Sequence, residues 1–326
     1  MEILTQPPAA GTSPAEPAPM LDVDYDRTVS RAMVHRWSLS EVFLTDSRPV
    51  DETRFVAAAQ LPLSHAYFGD HPGLPAAHDP LLVLEACRQA VTNAAHVHHD
   101  LPASTTFMVT SWMLDIADQD AMAHGVRPGS LYIEGEVTTR QKRGGRLRRL
   151  VFEMDLRLDG RPLGRLSMDV SCTPTDQYHA LRGMQRGGEV PNAFALPADP
   201  AAEPLDPARV HRRDPVNSVL DGVVHTDEGV EALLSPRSFR NRSMYDHPYD
   251  HVPAMVFSEA ARQITHLLTA EETPRPVVRL DGEFRKFAEL DAPVALAGAP
   301  APEPDTYRLT AVQQDDVVAD ITVVLG

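Results

Sequence analysis

The sequence predicts an α+β fold made of two tandem repeats, each a long helix wrapped by a curved antiparallel sheet. Three observations carry that prediction. The motif Glu-Ala-x-Arg-Gln occurs twice, as Glu85-Ala86-Cys87-Arg88-Gln89 and Glu259-Ala260-Ala261-Arg262-Gln263, each time inside an apolar, helix-like run. A second pair, Val34-His35-Arg36 and Val210-His211-Arg212, precedes it at nearly the same distance: Val34 lies 51 residues before Glu85, and Val210 lies 49 before Glu259. The segments after the motif alternate apolar and polar residues with the period of a strand. Matched order and spacing over this length point to tandem duplication.

The elements follow in order. Residues 1–28, rich in Pro and Ala, read as a disordered leader. The first repeat spans 29–182 and opens on a short apolar run, Val42-Phe43-Leu44, before the helix LLVLEACRQAVTNAAHVHH. Leu131, Ile133 and Val137 mark a strand that turns at Gly144-Gly145. Leu150, Phe152, Met154, Leu156 and Leu158 then alternate with polar or exposed-type positions. After the turn at Asp159-Gly160 a further strand carries Leu166, Met168, Val170 and Cys172. Residues 183–208, with five prolines, read as an interdomain linker. The second repeat spans 209–326 and repeats the plan more weakly, around Val277–Leu280, Val294–Leu296, Tyr307–Val312 and Val317–Leu325. One helix held by a curved antiparallel sheet is the hot-dog arrangement, so the fold class is a tandem double hot-dog.

Composition narrows the function. A net charge of −16, with only two lysines (Lys142 and Lys286) among 30 basic residues, argues against nucleic acid as a partner, because phosphate contacts need a basic face. An anionic substrate must therefore find a local arginine cluster. No apolar run approaches the roughly 20 residues of a membrane span. The N-terminus has no signal-peptide pattern, and the two cysteines, Cys87 and Cys172, make no disulfide framework. A cytoplasmic protein is expected. His96, His98 and His99 lack the accompanying ligand spacing of a metal site and read as a solvated helix end; no metal and no cofactor are expected.

The repeated motif carries the chemistry. Positions i, i+3 and i+4 share a helix face, so each copy presents a carboxylate, a guanidinium and an amide together: Glu85, Arg88 and Gln89, then Glu259, Arg262 and Gln263. Burying charge is costly unless it is paired or used. Each Glu–Arg pair is either an ion pair balancing itself or part of a site.

The chain resembles the A-factor biosynthesis (AfsA) family, which carries two hot-dog repeats. The resemblance rests on VHRWSLSEVFL, DPLLVLEACRQA, VHRRDPVNSVL, DHPYDHVPAMVFSEAARQ and FRKFAELDAPV, and covers about Met33 to Gly326. The second repeat is also similar to hot-dog acyl-carrier-protein dehydratases at His247, His251, Pro253, Glu259 and Gln263, but Ala254 departs from their Pro-Gly. The resemblance implies transfer of a β-ketoacyl group from an acyl-carrier-protein thioester to a hydroxyl of dihydroxyacetone phosphate, on the way to a γ-butyrolactone- or furan-type signal. The rivals are a dehydratase or thioesterase acting on acyl thioesters, and a non-catalytic acyl- or lactone-binding protein.

On that reading Glu259 is the expected base, its pKa raised by burial, with Glu85 second. His251 and His247 are further catalytic candidates, each with a turn or capping role as the alternative. Arg262 and Arg88 are expected to hold phosphate with Gln263 and Gln89 beside them, and Arg240 and Arg242 to assist. Pro253, as a first helical residue, leaves the next backbone amides free for an oxyanion. A basic cluster around Gly144-Gly145, with Arg143, Arg146 and Arg148 central, is either a solvated hairpin tip or a docking patch for an acidic carrier protein.

Overall fold

The computed structural model describes residues 21–71 and 76–326. Among the described residues twelve strands form one continuous sheet. In chain order they are β1 (Leu44–Pro49), β2 (Arg54–Leu61), β3 (Thr105–Ile116), β4 (Gly129–Arg143), β5 (Arg146–Leu158), β6 (Arg161–Pro174), β7 (Leu220–His225), β8 (Val230–Leu234), β9 (Val277–Phe284), β10 (Ala295–Pro300), β11 (Thr306–Gln313) and β12 (Asp316–Leu325). Among the described residues three α-helices accompany them: α1 (Pro80–Val97), α2 (Thr175–Arg186) and α3 (Ala254–Thr269).

The strand order β1-β2-β4-β5-β6-β3-β9-β12-β11-β10-β8-β7 is a palindrome of repeats. Replacing each strand by the one six places later in the chain reverses the list, which is the signature of a pseudo-twofold axis. The axis passes between β3 and β9, where Trp112 faces Gly282 and Leu114 faces Leu280 in antiparallel register. Every neighbouring pair is antiparallel, and each half closes around its own helix.

Alternation puts the core where the sequence places it. Leu150, Phe152, Met154, Leu156 and Leu158 of β5 are buried against α1, while Glu153 and Asp155 face outward. The helices are apolar nearly all round because the sheet wraps them: 15 residues of α1 and 13 of α3 are buried. A side chain at Gly298 in β10 would collide with Ile264 of α3, so the helix rests directly on the sheet there.

The helix starts differ. Pro80 opens α1 behind Asp79, whose carboxylate caps the Leu81 amide at 2.8 Å. Pro253 is not the first residue of α3 but its N-cap, and no side chain caps that helix.

Two sequence expectations need new boundaries. Residues 1–20 of the expected leader lie outside the described residues; residues 21–28 run along the first sheet, with the Leu21 amide donating to the Tyr132 hydroxyl at 2.9 Å. The segment 183–208 is not a free linker. Its first residues belong to α2, and its prolines serve a chain packed on the second repeat, with Ala193, Ala198 and Leu205 buried and Ala201 bonded to Asp221. Apolar residues interspersed among the prolines supply that anchoring.

Candidate active site

Both His-Arg pairs do the same structural job. His35 and His211 each take a left-handed backbone, φ 53°, at the end of a 3-10 turn. The turn aims the following arginine at the opposite helix face. Arg36 Nε donates to Glu85 Oε1 at 3.1 Å, and Arg212 Nε to Glu259 Oε1 at 2.9 Å. From within the helix, Arg88 Nε donates to Glu85 Oε2 at 2.8 Å and Arg262 Nε to Glu259 Oε2 at 3.0 Å. The glutamine of each motif closes the set. Gln89 Nε2 donates to Glu85 at 2.7 Å while its oxygen accepts the Phe43 amide, and Gln263 Nε2 donates to Glu259 at 2.6 Å while its oxygen accepts the Val219 amide.

This geometry reverses one expectation. Burial alone pushes both glutamates up, but two guanidiniums against each outweigh it. Arg36 and Arg88 hold Glu85 at about 2, and Arg212 and Arg262 hold Glu259 below its ordinary value. A carboxylate locked in its charged form between two arginines is a poor proton acceptor at neutral pH. Each glutamate stands as the shared acceptor of two arginines.

The repeats also pin each other. The Asp246 carboxylate accepts the amides of Trp37 and Ser38, at 2.6 and 3.1 Å, just after Arg36. Asp70 does the same for Arg213 and Asp214, both at 3.1 Å, just after Arg212. Each arginine turn is thus fixed by a loop of the other half, and each glutamate site is completed across the pseudo-twofold axis.

There the symmetry ends. Around Glu259 the space is filled: the Tyr67 hydroxyl donates to Glu259 Oε2 at 3.0 Å, Arg262 Nη1 donates to Asp79 Oδ1 at 2.7 Å, and His71 Nε2 lies 2.7 Å from Asp79 Oδ2. Glu259 is wholly buried and Arg262 nearly so. Around Glu85 the protein instead leaves a cavity of about 670 Å³. Glu85, Arg36 and Arg88 form its polar wall; Phe107, Val109, Trp112, Phe257 and Phe284 form an apolar one; and Pro253, Ala254 and Met255 at the start of α3 form the third. Such a volume suits a small substrate with an acyl tail.

His251 stands on the same cavity. Its Nδ1 lies 2.6 Å from Asp250 Oδ1, which also accepts from the Tyr178 hydroxyl at 2.7 Å. Arg182, a buried residue of α2, donates to Asp250 Oδ2 at 3.2 Å and to Glu289 at 2.8 Å. Burial raises the Asp250 carboxyl, but His251, Tyr178 and Arg182 together hold it well below the usual carboxylate range. A charged Asp250 fixes the Nδ1–H tautomer and leaves Nε2 as the free acceptor. Among the described residues Nε2 has no protein partner, which is the arrangement of a general base.

The structure thus gathers Glu85, Arg88 and His251 at one cavity, with Gln89 just behind, and encloses Glu259, Arg262 and Gln263 elsewhere. His247 sits beside that cavity, stacked on Tyr249 at 4.0 Å. Arg240 and Arg242 do not join the site: both are exposed, and Arg242 covers the Phe194 ring at 4.0 Å. Arg143, Arg146 and Arg148 lie at the β4–β5 hairpin, one strand away from the cavity wall at Ser171, with Arg148 bonded to Gln177 of α2. His96 is no solvated helix end but is buried against His35, their Nε2 atoms 2.8 Å apart. Among the described residues no cluster of three or more His, Cys, Asp or Glu has metal-binding geometry, and no helix is long and apolar enough to cross a membrane.

Sequence reasoning missed Arg36, Arg212, Asp79, Asp250, Tyr178 and Arg182. The repeated Val-His-Arg marked the duplication, and its arginine had the signal of a second charge partner for each motif glutamate. Asp250 was adjacent to a candidate histidine. Nothing local announces Arg182, whose partners are 68 and 107 residues away.

Known proteins match this chain over most of its length. The profile of the A-factor biosynthesis hotdog domain matches residues 21–174 and 195–325, one match per repeat. A 2-oxo-3-(phosphooxy)propyl 3-oxoalkanoate synthase of Streptomyces virginiae is 31% identical over 295 residues, covering 89% of this chain and 95% of the relative. A protein of the same name from Streptomyces coelicolor is 27% identical, covering 89% of each. Among solved structures, a 12:0-ACP thioesterase from Umbellularia californica superposes with a TM-score of 0.48 at 10% identity, over 83% of this chain and 97% of that one. The chain belongs to the A-factor biosynthesis (AfsA) hotdog family.

Proposed function

We propose that this protein is a β-ketoacyl transferase, joining the acyl group of an acyl-carrier-protein thioester to a hydroxyl of dihydroxyacetone phosphate and so supplying a precursor of a γ-butyrolactone- or furan-type signal. The single observation that carries the reading is the cavity that joins an Asp-fixed histidine, a pair of arginines and an apolar wall. The names of the Streptomyces relatives describe the product of such a reaction.

His251 Nε2 takes the proton of the acceptor hydroxyl as its oxygen attacks the thioester carbonyl. The free amide of Ala254, at the positive end of α3, faces the developing oxyanion. Collapse breaks the C–S bond, and the proton on His251 passes to the departing thiolate sulfur. The products are the phosphorylated β-ketoester and the free carrier thiol, and no covalent enzyme intermediate is needed. Glu85 keeps Arg36 and Arg88 in place. The exposed Arg143 and Arg146 are the proposed contact for the acidic carrier protein. Two free, buried cysteines, Cys87 and Cys172, support a reducing, cytoplasmic setting.

The test is to mix the purified protein with a β-ketoacyl carrier protein and dihydroxyacetone phosphate and follow products by mass spectrometry. A phosphate-bearing acyl ester is expected. Free acid or a dehydrated acyl carrier without ester would move the assignment to a thioesterase or dehydratase, and no turnover of any donor would favour a binding protein.

A further inference from the structure

The closed site of the second half contains its own anion. Asp79 Oδ1 receives Arg262 Nη1 at 2.7 Å and the Leu81 amide at 2.8 Å, and Oδ2 lies 2.7 Å from His71 Nε2. Arg212 Nη2 stands 4.0 Å away. Burial would raise this carboxyl, yet Arg262, His71 and Arg212 hold it well below the usual carboxylate range. The site is built to receive a negatively charged group, and the chain provides one.

Each donor of that cradle has a counterpart at the open cavity. Counting from the motif glutamates, Arg262 corresponds to Arg88 and Leu81 to Met255. Asp70 and Asp246 bond the partner turn in the same way, so the residues that follow them, His71 and His247, correspond too. Only the anion is missing, because Pro253 occupies the place of Asp79. Its ring also leaves the Met255 amide without the cap that Leu81 has.

A second observation is independent of that correspondence. Arg212 Nη1 donates to the carbonyls of Tyr67 and Asp70, at 2.9 and 3.3 Å. Arg36, its counterpart, is equally buried, 4% exposed by side chain, and lines the cavity, yet its Nη1 has no hydrogen-bond partner. A buried guanidinium nitrogen left unpaired is costly, and a ligand oxygen at this point relieves it.

We propose that the phosphate of the acceptor substrate binds against Arg88, Arg36 Nη1, His247 and the Met255 amide, in the place where the first repeat supplies the Asp79 carboxylate to the second. Arg88 gives its Nε and Nη2 to Glu85 and so offers Nη1, as Arg262 offers Nη1 to Asp79, and a helix-start amide beside such a cation is a common phosphate cradle. The pseudo-twofold duplication thus yields one site with a built-in anion and one that accepts its anion from solution. This assignment deepens the acyl-transfer reading and rests on it for the identity of the ligand as a phosphate monoester.

The test is calorimetric binding of dihydroxyacetone phosphate, dihydroxyacetone and inorganic phosphate, with ester formation measured on the same preparations. Wild type is expected to bind the phosphate ester and inorganic phosphate competitively, and dihydroxyacetone far more weakly. Arg88→Ala is expected to weaken the phosphate ester by about 10- to 100-fold. Pro253→Asp places a carboxylate at a favourable N-cap position, where it should fold well and exclude phosphate as Asp79 does in the other half. Arg240→Ala/Arg242→Ala, outside the cavity, should bind as wild type. Undiminished phosphate-ester affinity in both Arg88→Ala and Pro253→Asp would overturn the subsite even if ester is still made. Loss of binding in those variants, in a protein that never makes ester, would keep the subsite and overturn the transferase reading.

Discussion

Asp250 Oδ1 stands 2.6 Å from His251 Nδ1, and that contact decides which nitrogen of the imidazole is left for chemistry. Asp250 is itself held by Tyr178 and by Arg182, so the histidine is oriented through a chain that begins on α2, between the two segments that match the family profile. Removing the charge should scramble the tautomer without emptying the cavity. Asp250→Asn is expected to lower kcat by roughly 100-fold with little change in KM, and His251→Gln by roughly 100- to 10,000-fold. A variant whose loss is all in KM would place Asp250 in binding rather than in orienting the base.

Glu259 predicts a different kind of loss. Its carboxylate is the common partner of Arg212, Arg262, Gln263 and Tyr67 in a closed interior. Neutralising it leaves two buried guanidiniums short of a counter-ion, a change that typically costs about 3–5 kcal/mol. Glu259→Gln should therefore unfold at clearly lower denaturant concentration than wild type. A loss below about 1 kcal/mol would mean that Asp79 alone suffices to balance both arginines.

Acid should destabilise the protein well before its carboxylates titrate. Burial, aided by Arg262 and His211, holds His266 down at about 3. The folded protein thus keeps His266 neutral where the unfolded chain, with a histidine near 6.5, binds a proton. Its contribution is intact above about pH 6.5 and is lost progressively as pH falls toward 3, by roughly 2 kcal/mol at pH 5. Glu85 adds to this only below about 4.5, since its folded value is about 2. Equilibrium unfolding at pH 7 and pH 5, for wild type and His266→Asn, checks the point: the variant should show the shallower pH dependence.

At the β4–β5 hairpin, Arg140 and Arg149 are already paired with Glu52 and Asp169, whereas Arg143 and Arg146 reach solvent with no carboxylate partner among the described residues. Replacing Arg143, Arg146 and Arg148 by Ala is expected to raise the KM for a carrier-bound donor by about tenfold and to flatten its salt dependence, sparing a small thioester analogue. Equal impairment of both donors would remove the docking role.

The duplicated fold was legible because duplication writes the same pattern twice, and because β5 and β6 alternate cleanly over long strands. Strands β2 and β8 were not, since RFVAAAQL and VEALL are too short or too uniformly apolar for period alone to separate strand from helix. At the site, the motif named both glutamates and both arginines but ranked Glu259 and Arg262 first, whereas the cavity opens at Glu85 and Arg88. Two paired positions separate the halves: Asp79 against Pro253, six residues upstream of each glutamate, and Tyr67, which bonds Glu259, against Ser243, which lines the open cavity. The first difference acquires meaning only once the fold brings α1's start to Arg262, 183 residues away. The expectation of a raised glutamate pKa failed for a similar reason, because the arginines that lower it arrive from the distant His-Arg turns.

The most direct test compares ester formation by His251→Gln and Glu259→Gln, each normalised to the folded fraction, with β-ketoacyl carrier protein and dihydroxyacetone phosphate. One working site, at the Glu85 cavity, requires that His251→Gln lose nearly all turnover while folded Glu259→Gln keeps it. Full activity in His251→Gln, or abolished turnover in well-folded Glu259→Gln, would put the chemistry in the other half and contradict the account.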